Sequence, residues 1–497
     1  TFKSLSYGTY MTSDASISSS SQSLSVSDRN DAVTDYSKKY DLSALKSTDS
    51  LSGIQVVSRL NALGLKRSDL MNPEAAMDTV ESSVNSALSG LPTKTVQYKG
   101  NDVDDLNQFL QDNAGKVVQL TKDIEVYKNT NGAFGIIMVP SNTILDGNGH
   151  SLVMKAGYTE APDNGVVLYV YKNGVIPSKN CGVKNLTTSI PYVNSINVFG
   201  AENIILENNT LSNAAKCGIL MSDEHGLTTN GIIRNNTVNN AGDVGIAVYG
   251  NHSKLLIENN SVSGAKGFAG IAVSCLQHGQ QIRVDSETTG PHDIIVTKNT
   301  VASSVGEALY CIGAYKTYMT YNVLRDSYLE GVCLDSGCIG NYFAHNEVFN
   351  NGIEGGLPGV SIDNGMYNIV DGNNVYNNTC SGIKLVRTGL GNIIVNNTCT
   401  DNSYNKKGAK SAGVDIEPLA VEAANLGYID GLGSNWNVVL NNTVKGSHDF
   451  GVFIADDDGG VSCGNVIMYN KFSSAYTFGA TDFSSQPSTV KNNIVSD

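Results

Sequence analysis

The apolar positions of this chain alternate in short runs, and the runs recur. Gly218-Ile219-Leu220-Met221 leads through a polar loop to Ile232-Ile233-Arg234-Asn235-Asn236-Thr237. Gly245-Ile246-Ala247-Val248 leads to Leu256-Ile257-Glu258-Asn259-Asn260-Ser261, and Gly382-Ile383-Lys384-Leu385 to Ile393-Ile394-Val395-Asn396-Asn397-Thr398. Period-two alternation rich in Ile and Val predicts strands rather than helices. The second asparagine of the phrase falls at Asn209, Asn236, Asn260, Asn299, Asn322, Asn346, Asn374, Asn397, Asn442 and Asn470. Steps run from 23 to 28 residues, with two longer ones of 39 and 45. Two or three strands per turn of about 25 residues define an all-β solenoid, a parallel β-helix with coils stacked at roughly the 4.8 Å strand spacing of a sheet. The long steps are coils with insertions. The repeated asparagine is expected to form an internal ladder at one corner, each amide donating to and accepting from the next. Asn-Asn-Thr also matches a glycosylation acceptor, but a corner residue needed in every coil accounts for the repeat.

Stacking the coils on the glycine that opens each run sorts side chains into columns. One and three places after it are apolar pairs: Val332 and Leu334, Val360 and Ile362, Ile383 and Leu385, Val414 and Ile416. These are predicted to point inward, so the residues two and four places after the glycine point outward. The four-place column reads Ser222, Tyr249, Ser274, Ile312, Asp335, Asp363, Val386, Glu417, Ala455. The two-place column reads Leu220, Ala247, Ala272, Tyr310, Cys333, Ser361, Lys384, Asp415, Phe453. Acids therefore gather on neighbouring coils: Asp335 and Asp363 one coil apart, with Asp415 and Glu417 two coils further. Lys384 lies between, with Arg387 just past its strand. Tyr249, Tyr310 and Phe453 flank the group as expected sugar-stacking faces.

This spacing predicts chemistry. Carboxyls one coil apart start about 5 Å apart, the separation of a retaining glycosidase pair. Asp335 and Asp363 are the candidate catalytic pair; Asp363 with Glu417, two coils apart, is the inverting alternative. Asp335 has apolar Ile312 as its neighbour and is expected to be the general acid. Asp363 has Lys384 and Arg387 nearby and is expected to be the ionised nucleophile. Lys384, Arg387, Asp415, Glu417, Tyr310 and Tyr249 are expected to bind substrate. Against this, Asp335-Ser336-Gly337 and Asp363-Asn364-Gly365 have the composition of Asx turns. Asp223-Glu224-His225, His278 and His292 are weaker groove-lining candidates. Asp456-Asp457-Asp458 reads as a solvated run, and Trp436 as packing.

Outside the coils, residues 1–95 read as a Ser-rich leader and a small helical region, and 96–497 as the solenoid. Helix-like spacing spans 52–60. Asn72-Pro73-Glu74 signals a helix start and Leu91-Pro92 a stop. Asp102 to Asp112 is amphipathic and is expected to cap the solenoid, with Val117 to Leu120 as the first strand. Insertions at Cys275–His292 and Pro418–Ser434 leave after the same strand of their coils, so both are expected to wall one face.

Composition narrows the partners. Only 16% of residues are charged and the formal net charge is −14, which disfavours nucleic acid and anionic membranes. No apolar run is long enough to span a bilayer. Nine cysteines form no Cys-x-x-Cys zinc pattern, and no metal or cofactor site is expected from them. Cys380 and Cys399 fall on neighbouring coils. The chain opens on polar Thr1-Phe2-Lys3 with no signal peptide, so its N-terminus is expected to be already processed or trimmed.

From about residue 100 onward this grammar resembles the pectate-lyase-like superfamily of right-handed parallel β-helices, including the repeats of carbohydrate-active enzymes and NosD-type proteins. The resemblance implies a carbohydrate-active protein, secreted or on a bacterial cell surface. Some members are trimers, so a homo-oligomer stays open. The polygalacturonase set of Asn-Thr-Asp, Asp-Asp, Gly-His-Gly and Arg-Ile-Lys does not occur in order, nor does an epimerase-type Asp-Pro-His-Glu. Three functions remain. The first is a glycoside hydrolase acting on an oligo- or polysaccharide. The second is a lyase on a uronate glycan, in which Asp335, Asp363 and Asp415 hold Ca²⁺ and Lys384 or Arg387 abstracts a proton. The third is a non-catalytic glycan-binding surface protein.

Overall fold

The computed structural model describes residue 59, residues 61–66 and residues 70–496, apart from 129–134, 161–162, 278–287, 404–410, 419–432, 457–459, 474–477, 483, 485–487 and 492. The Ser-rich leader, most of the helix expected over 52–60, His278, Asp457, Asp458 and the interiors of both insertions lie outside these residues.

Each coil gives one strand to each of three parallel sheets. In one coil these are Cys217–Ser222, Thr229–Arg234 and Thr237–Asn239. We call the sheets front, back and third; they hold 13, 15 and 14 strands. From residue 179 onward strand order within each sheet skips by three, as a helix of three-strand coils requires. Their inner faces enclose a continuous core of Ile, Val and Leu, among them Ile219, Ile246, Ile271, Val332, Ile362 and Ile416.

The opening glycine has a steric cause. A Cβ on Gly218, Gly245 or Gly270 would lie 2.3, 2.3 and 2.2 Å from Cγ1 of Val238, Val262 and Val301 on the third sheet. The glycine thus faces the core, and so does the residue after it. Strand pairing steps over it: Cys217 pairs Asn194 and Ile219 pairs Ile196. Alternation is therefore broken there, and the residue before the glycine is turned outward with the two- and four-place columns.

The asparagines form the expected ladder. It runs Asn209, Asn236, Asn260, Asn299, Asn322, Asn346, Asn373, Asn397, Asn442, Asn470, Asn493, with Nδ2 to Oδ1 distances of 2.9–3.0 Å. Each Nδ2 also donates to a backbone carbonyl, as Asn346 does to Met319 at 2.9 Å. The first asparagine of the phrase turns the corner in left-handed backbone; Asn208, Asn235 and Asn259 have φ of 55°, 56° and 53°. Asn374 is a correction. In that coil Gly372 takes the left-handed corner (φ 64°), so Asn373 enters the ladder and exposed Asn374 opens the next strand. Two shorter buried ladders run Asn341–Asn368–Asn392–Asn437–Asn465 and Asn351–Asn378–Asn402.

Helix α1, Pro73–Leu88, is capped by Asn72 and buries Val80 and Val84. It lies on the outer face of the back sheet, against Ile232, Leu256, Ile295 and Tyr318. The first strand is Thr95–Tyr98, which pairs with Val117–Leu120 and precedes it. Between them α2, Val103–Asp112, starts at Asp102 and places fully buried Val103, Leu106 and Leu110 over the end of the core. The earlier strand escaped sequence reading because Thr95-Val96-Gln97-Tyr98 carries no glycine opening. All nine cysteines are separate thiols, Cys380 and Cys399 included. Among the described residues no helix is long and apolar enough to cross a membrane.

Candidate active site

The front sheet keeps the two outward columns in register. Ser222, Tyr249, Ser274, Ile312 and Asp335 are successive partners. So are Tyr310, Cys333, Ser361, Lys384, Asp415 and Phe453. Asp363 pairs with Val386, and Val386 with Glu417. The acids and cations singled out above therefore share one face.

That face is not open along its length. Tyr249 and Tyr310 are 4% and 3% exposed, packed with Ala247, Ala272 and Ile312 beneath Phe268 and Leu276. The Phe268 ring meets Tyr310 edge-on at 4.6 Å. Gln277 Nε2 reaches Ser222 Oγ at 3.2 Å. Phe268, Leu276 and Gln277 thus lie over this part of the sheet, and neither tyrosine offers an open ring face to a sugar. Phe453 is likewise buried, against Phe450. His292 opens a back-sheet strand and stacks on Tyr315 at 4.7 Å instead of walling the face. Trp436 packs with Leu70 and Tyr367.

Tyr310 and Asp335 form one unit. The phenol donates to Asp335 Oδ2 at 2.5 Å, while Ser336 N and Oγ donate to Oδ1 at 2.6 and 2.8 Å. Burial, then the charge of Asp335, hold the Tyr310 phenol well above its usual range, so it stays a donor. Both Asp335 oxygens are therefore occupied. Asp363 is bonded through Oδ2 to Arg387 Nη1. Lys384 Nζ bridges Glu417 Oε2 at 3.1 Å and Asp415 Oδ2 at 3.3 Å. Ser381 Oγ also reaches Asp415 Oδ2, at 3.3 Å. Three further carboxyl oxygens, Glu307 Oε2, Asp363 Oδ1 and Asp415 Oδ1, are buried without a hydrogen-bond partner among the described residues.

Two acids of the cluster lay outside the sequence-derived columns. Glu307 and Glu330 occupy the place just before the opening position, where strict alternation would point them inward. The break at the glycine turns this place outward instead. The signal was present: the same place holds Cys217, Val244 and Ala269, which pack on the outward tyrosines. Burial, with like-charged Asp335 and Glu354 nearby, pushes the Glu330 carboxyl up to about 7. Burial, then Glu330 and Asp335, raises Glu307 well above the usual carboxylate range.

The N-terminal segment also reaches this end of the front sheet. Arg59, fully buried, donates to the carbonyls of Thr288 (3.0 Å), Gly313 and Gly337. Gly337 closes the turn that follows Asp335. The lyase reading needed Asp335, Asp363 and Asp415 to converge on Ca²⁺. Each is held by different donors, and among the described residues no group of three or more His, Cys, Asp or Glu side chains is arranged to hold a metal ion. That donor set does not fit the cation.

With this geometry in hand, the chain can be set beside known proteins. A family model described as right handed beta helix region matches residues 124–288. No curated protein matches the sequence. Among solved structures, an A-module of Azotobacter vinelandii mannuronan C-5 epimerase is 15% identical, with TM-score 0.47, covering 80% of this chain and 99% of that one. A Thermotoga maritima exopolygalacturonase is 11% identical, with TM-score 0.46, covering 78% and 96%. The Streptococcus pneumoniae surface adhesin PfbA is 12% identical, with TM-score 0.40, covering 76% and 86%. The architecture is a right-handed parallel β-helix. These remote likenesses concern the fold and leave the chemistry to the residues.

Proposed function

We propose that the chain is a glycan-acting hydrolase, working outside the cell or on its surface, with Asp363 as catalytic carboxylate and Glu330 as proton donor. One observation carries the reading: a single face holds both a carboxylate bonded to an arginine and a carboxyl whose pKa burial raises to about 7. An acid and a base on one face are what glycosidic cleavage requires. Glu330 replaces Asp335 as the donor because Tyr310 and Ser336 occupy both Asp335 oxygens, leaving none to deliver a proton. Asp335 instead supplies the neighbouring charge that helps keep Glu330 protonated.

In the reaction, Glu330 gives its proton to the glycosidic oxygen as the bond to the anomeric carbon breaks. Asp363 takes a proton from the attacking water, and Arg387 keeps the carboxylate oriented. Glu330 and Asp363 sit one coil apart and at opposite ends of their strands, so the stereochemical outcome is left to the product analysis. The hydrolase is preferred to the lyase because both candidate lyase bases, Lys384 and Arg387, are engaged with carboxylates.

The test is mass spectrometry and anomeric NMR of products from a glycan panel. Fragments that together gain one water are expected, and the anomeric configuration of the new reducing end tells inversion from retention. Glu330→Gln and Asp363→Asn should each cut turnover by about a hundredfold or more. Unsaturated fragments with no added water, or full activity in Glu330→Gln, would overturn the reading.

A further inference from the structure

The described residues expose ten large apolar side chains, and three of these stand on consecutive coils beside the carboxylates: Val305, Tyr328 and Ile353, at 49%, 44% and 52% exposure. Their alignment is fixed by backbone bonds between coils. Val305 N donates to Ala265 O at 2.8 Å, Tyr328 N to Ser304 O at 2.8 Å, and Ile353 N to Ser327 O at 3.4 Å. Each lies in the turn that feeds a front-sheet strand, so Val305 and Tyr328 precede Glu307 and Glu330 by two residues. This is the side on which the cluster meets solvent: Glu330 is half-buried and Glu354 exposed, whereas Asp335 and Asp363 are buried.

We infer that Val305, Tyr328 and Ile353 form a platform for neutral pyranose rings at the open edge of the carboxylate cluster. The inference rests on the glycan reading above and adds where the substrate lies and which sugars it contains. A pyranose presents an apolar C–H face and a polar hydroxyl edge. Tyr328 offers a ring for the first, and Glu330 and Glu354 accept hydrogen bonds from the second. Two coil steps span roughly 10 Å, room for about two linked rings running along the solenoid axis. Charge selects the sugar class. The strip is flanked by exposed Glu354, with the acids Asp335 and Asp363 behind it, and the neighbouring cation Arg387 is already bonded to Asp363. A uronate carboxylate would meet repulsion there, and a neutral sugar would not.

The experiment is isothermal titration of the full chain with neutral oligosaccharides (cello-, xylo- and galacto-series) and with oligogalacturonate and oligomannuronate. A neutral series should bind at least tenfold more tightly than either uronate. Tyr328→Ala should weaken that binding about tenfold, and Tyr328→Phe, which keeps the ring, should stay within about twofold. Wild-type affinity in Tyr328→Ala, tighter binding of uronates, or no binding by any glycan would overturn the inference. Neutral binding through Tyr328 with no product would leave it standing while the hydrolase reading fell. Cleavage with wild-type affinity in Tyr328→Ala would do the reverse.

Discussion

Truncating one rung of the asparagine ladder gives the sharpest test of what holds the coils together. The Asn346 amide donates to Met319 O at 2.9 Å and Asn373 Oδ1 at 3.0 Å. It accepts from Asn322 N at 2.8 Å and Asn322 Nδ2 at 3.0 Å. Asn346→Ala removes all four bonds. Asn322 Nδ2 keeps Val296 O, and Asn373 Oδ1 keeps Asn346 N, so these two are only weakened. The Asn322 amide N–H loses its acceptor in a site that is 2% exposed at Asn346 and 1% at Asn322. An orphaned buried donor costs about 1–3 kcal/mol, and the remaining three bonds about 0.5–1.5 kcal/mol each, giving about 2.5–7.5 kcal/mol in total. Asn374→Ala is the control: the same residue type, exposed, one place beyond the ladder, with an expected effect within about 0.5 kcal/mol. Urea denaturation followed by circular dichroism reads the difference as a shift in midpoint at constant slope. A cost below about 1 kcal/mol for Asn346→Ala, or equal costs for the two substitutions, would refute the argument that the ladder and not the repeat pattern carries the stability.

Two other predictions concern the frame around the site. His252 and His448 are buried and neutral, and burial pulls both imidazoles down to about 4. The folded value lies below the unfolded one, so their contribution to stability is intact at neutral pH and is lost as pH falls from about 6.5 towards 4. Each contributes at most about 3 kcal/mol, and a melting-temperature profile against pH should steepen over that window and flatten in His252→Gln. Gly306→Ala would place a Cβ 1.6 Å from the Phe268 carbonyl oxygen, so the backbone must move. We expect a cost above about 3 kcal/mol and displacement of adjacent Glu307, against little change for Gly90→Ala, which meets nothing within 4 Å; thermal unfolding compares them.

Most of the architecture was legible because the coil repeats. Anchoring on Gly218, Gly245 and Gly382 put Asp335, Asp363, Lys384, Asp415 and Glu417 on one face, since a period-two strand leaves no other choice. The same rule hid Glu307 and Glu330, because it assumes unbroken alternation and the chain breaks it at the glycine that served as anchor. Burial was equally hidden. Tyr249 and Tyr310 do point outward, but Phe268, Leu276 and Gln277 close over them, and a column read from one coil carries no information about a loop returning from another. Asn373 was misread as Asn374 because two adjacent asparagines differ only in backbone conformation, and Gly372 decides which one enters the ladder.

The ladder has a consequence for how such a chain can change. Where consecutive rungs are 39 or 45 residues apart, the amide bond is 2.9 Å, against 3.0 Å across an ordinary step of 24. A coil is thus indifferent to how much chain leaves it, provided the chain returns to present the same asparagine at the same corner. Excursions can lengthen, shorten or be exchanged as cassettes without renegotiating the interior. The part of the molecule that meets a substrate can then diversify quickly, while the part that keeps it folded stays under strict constraint.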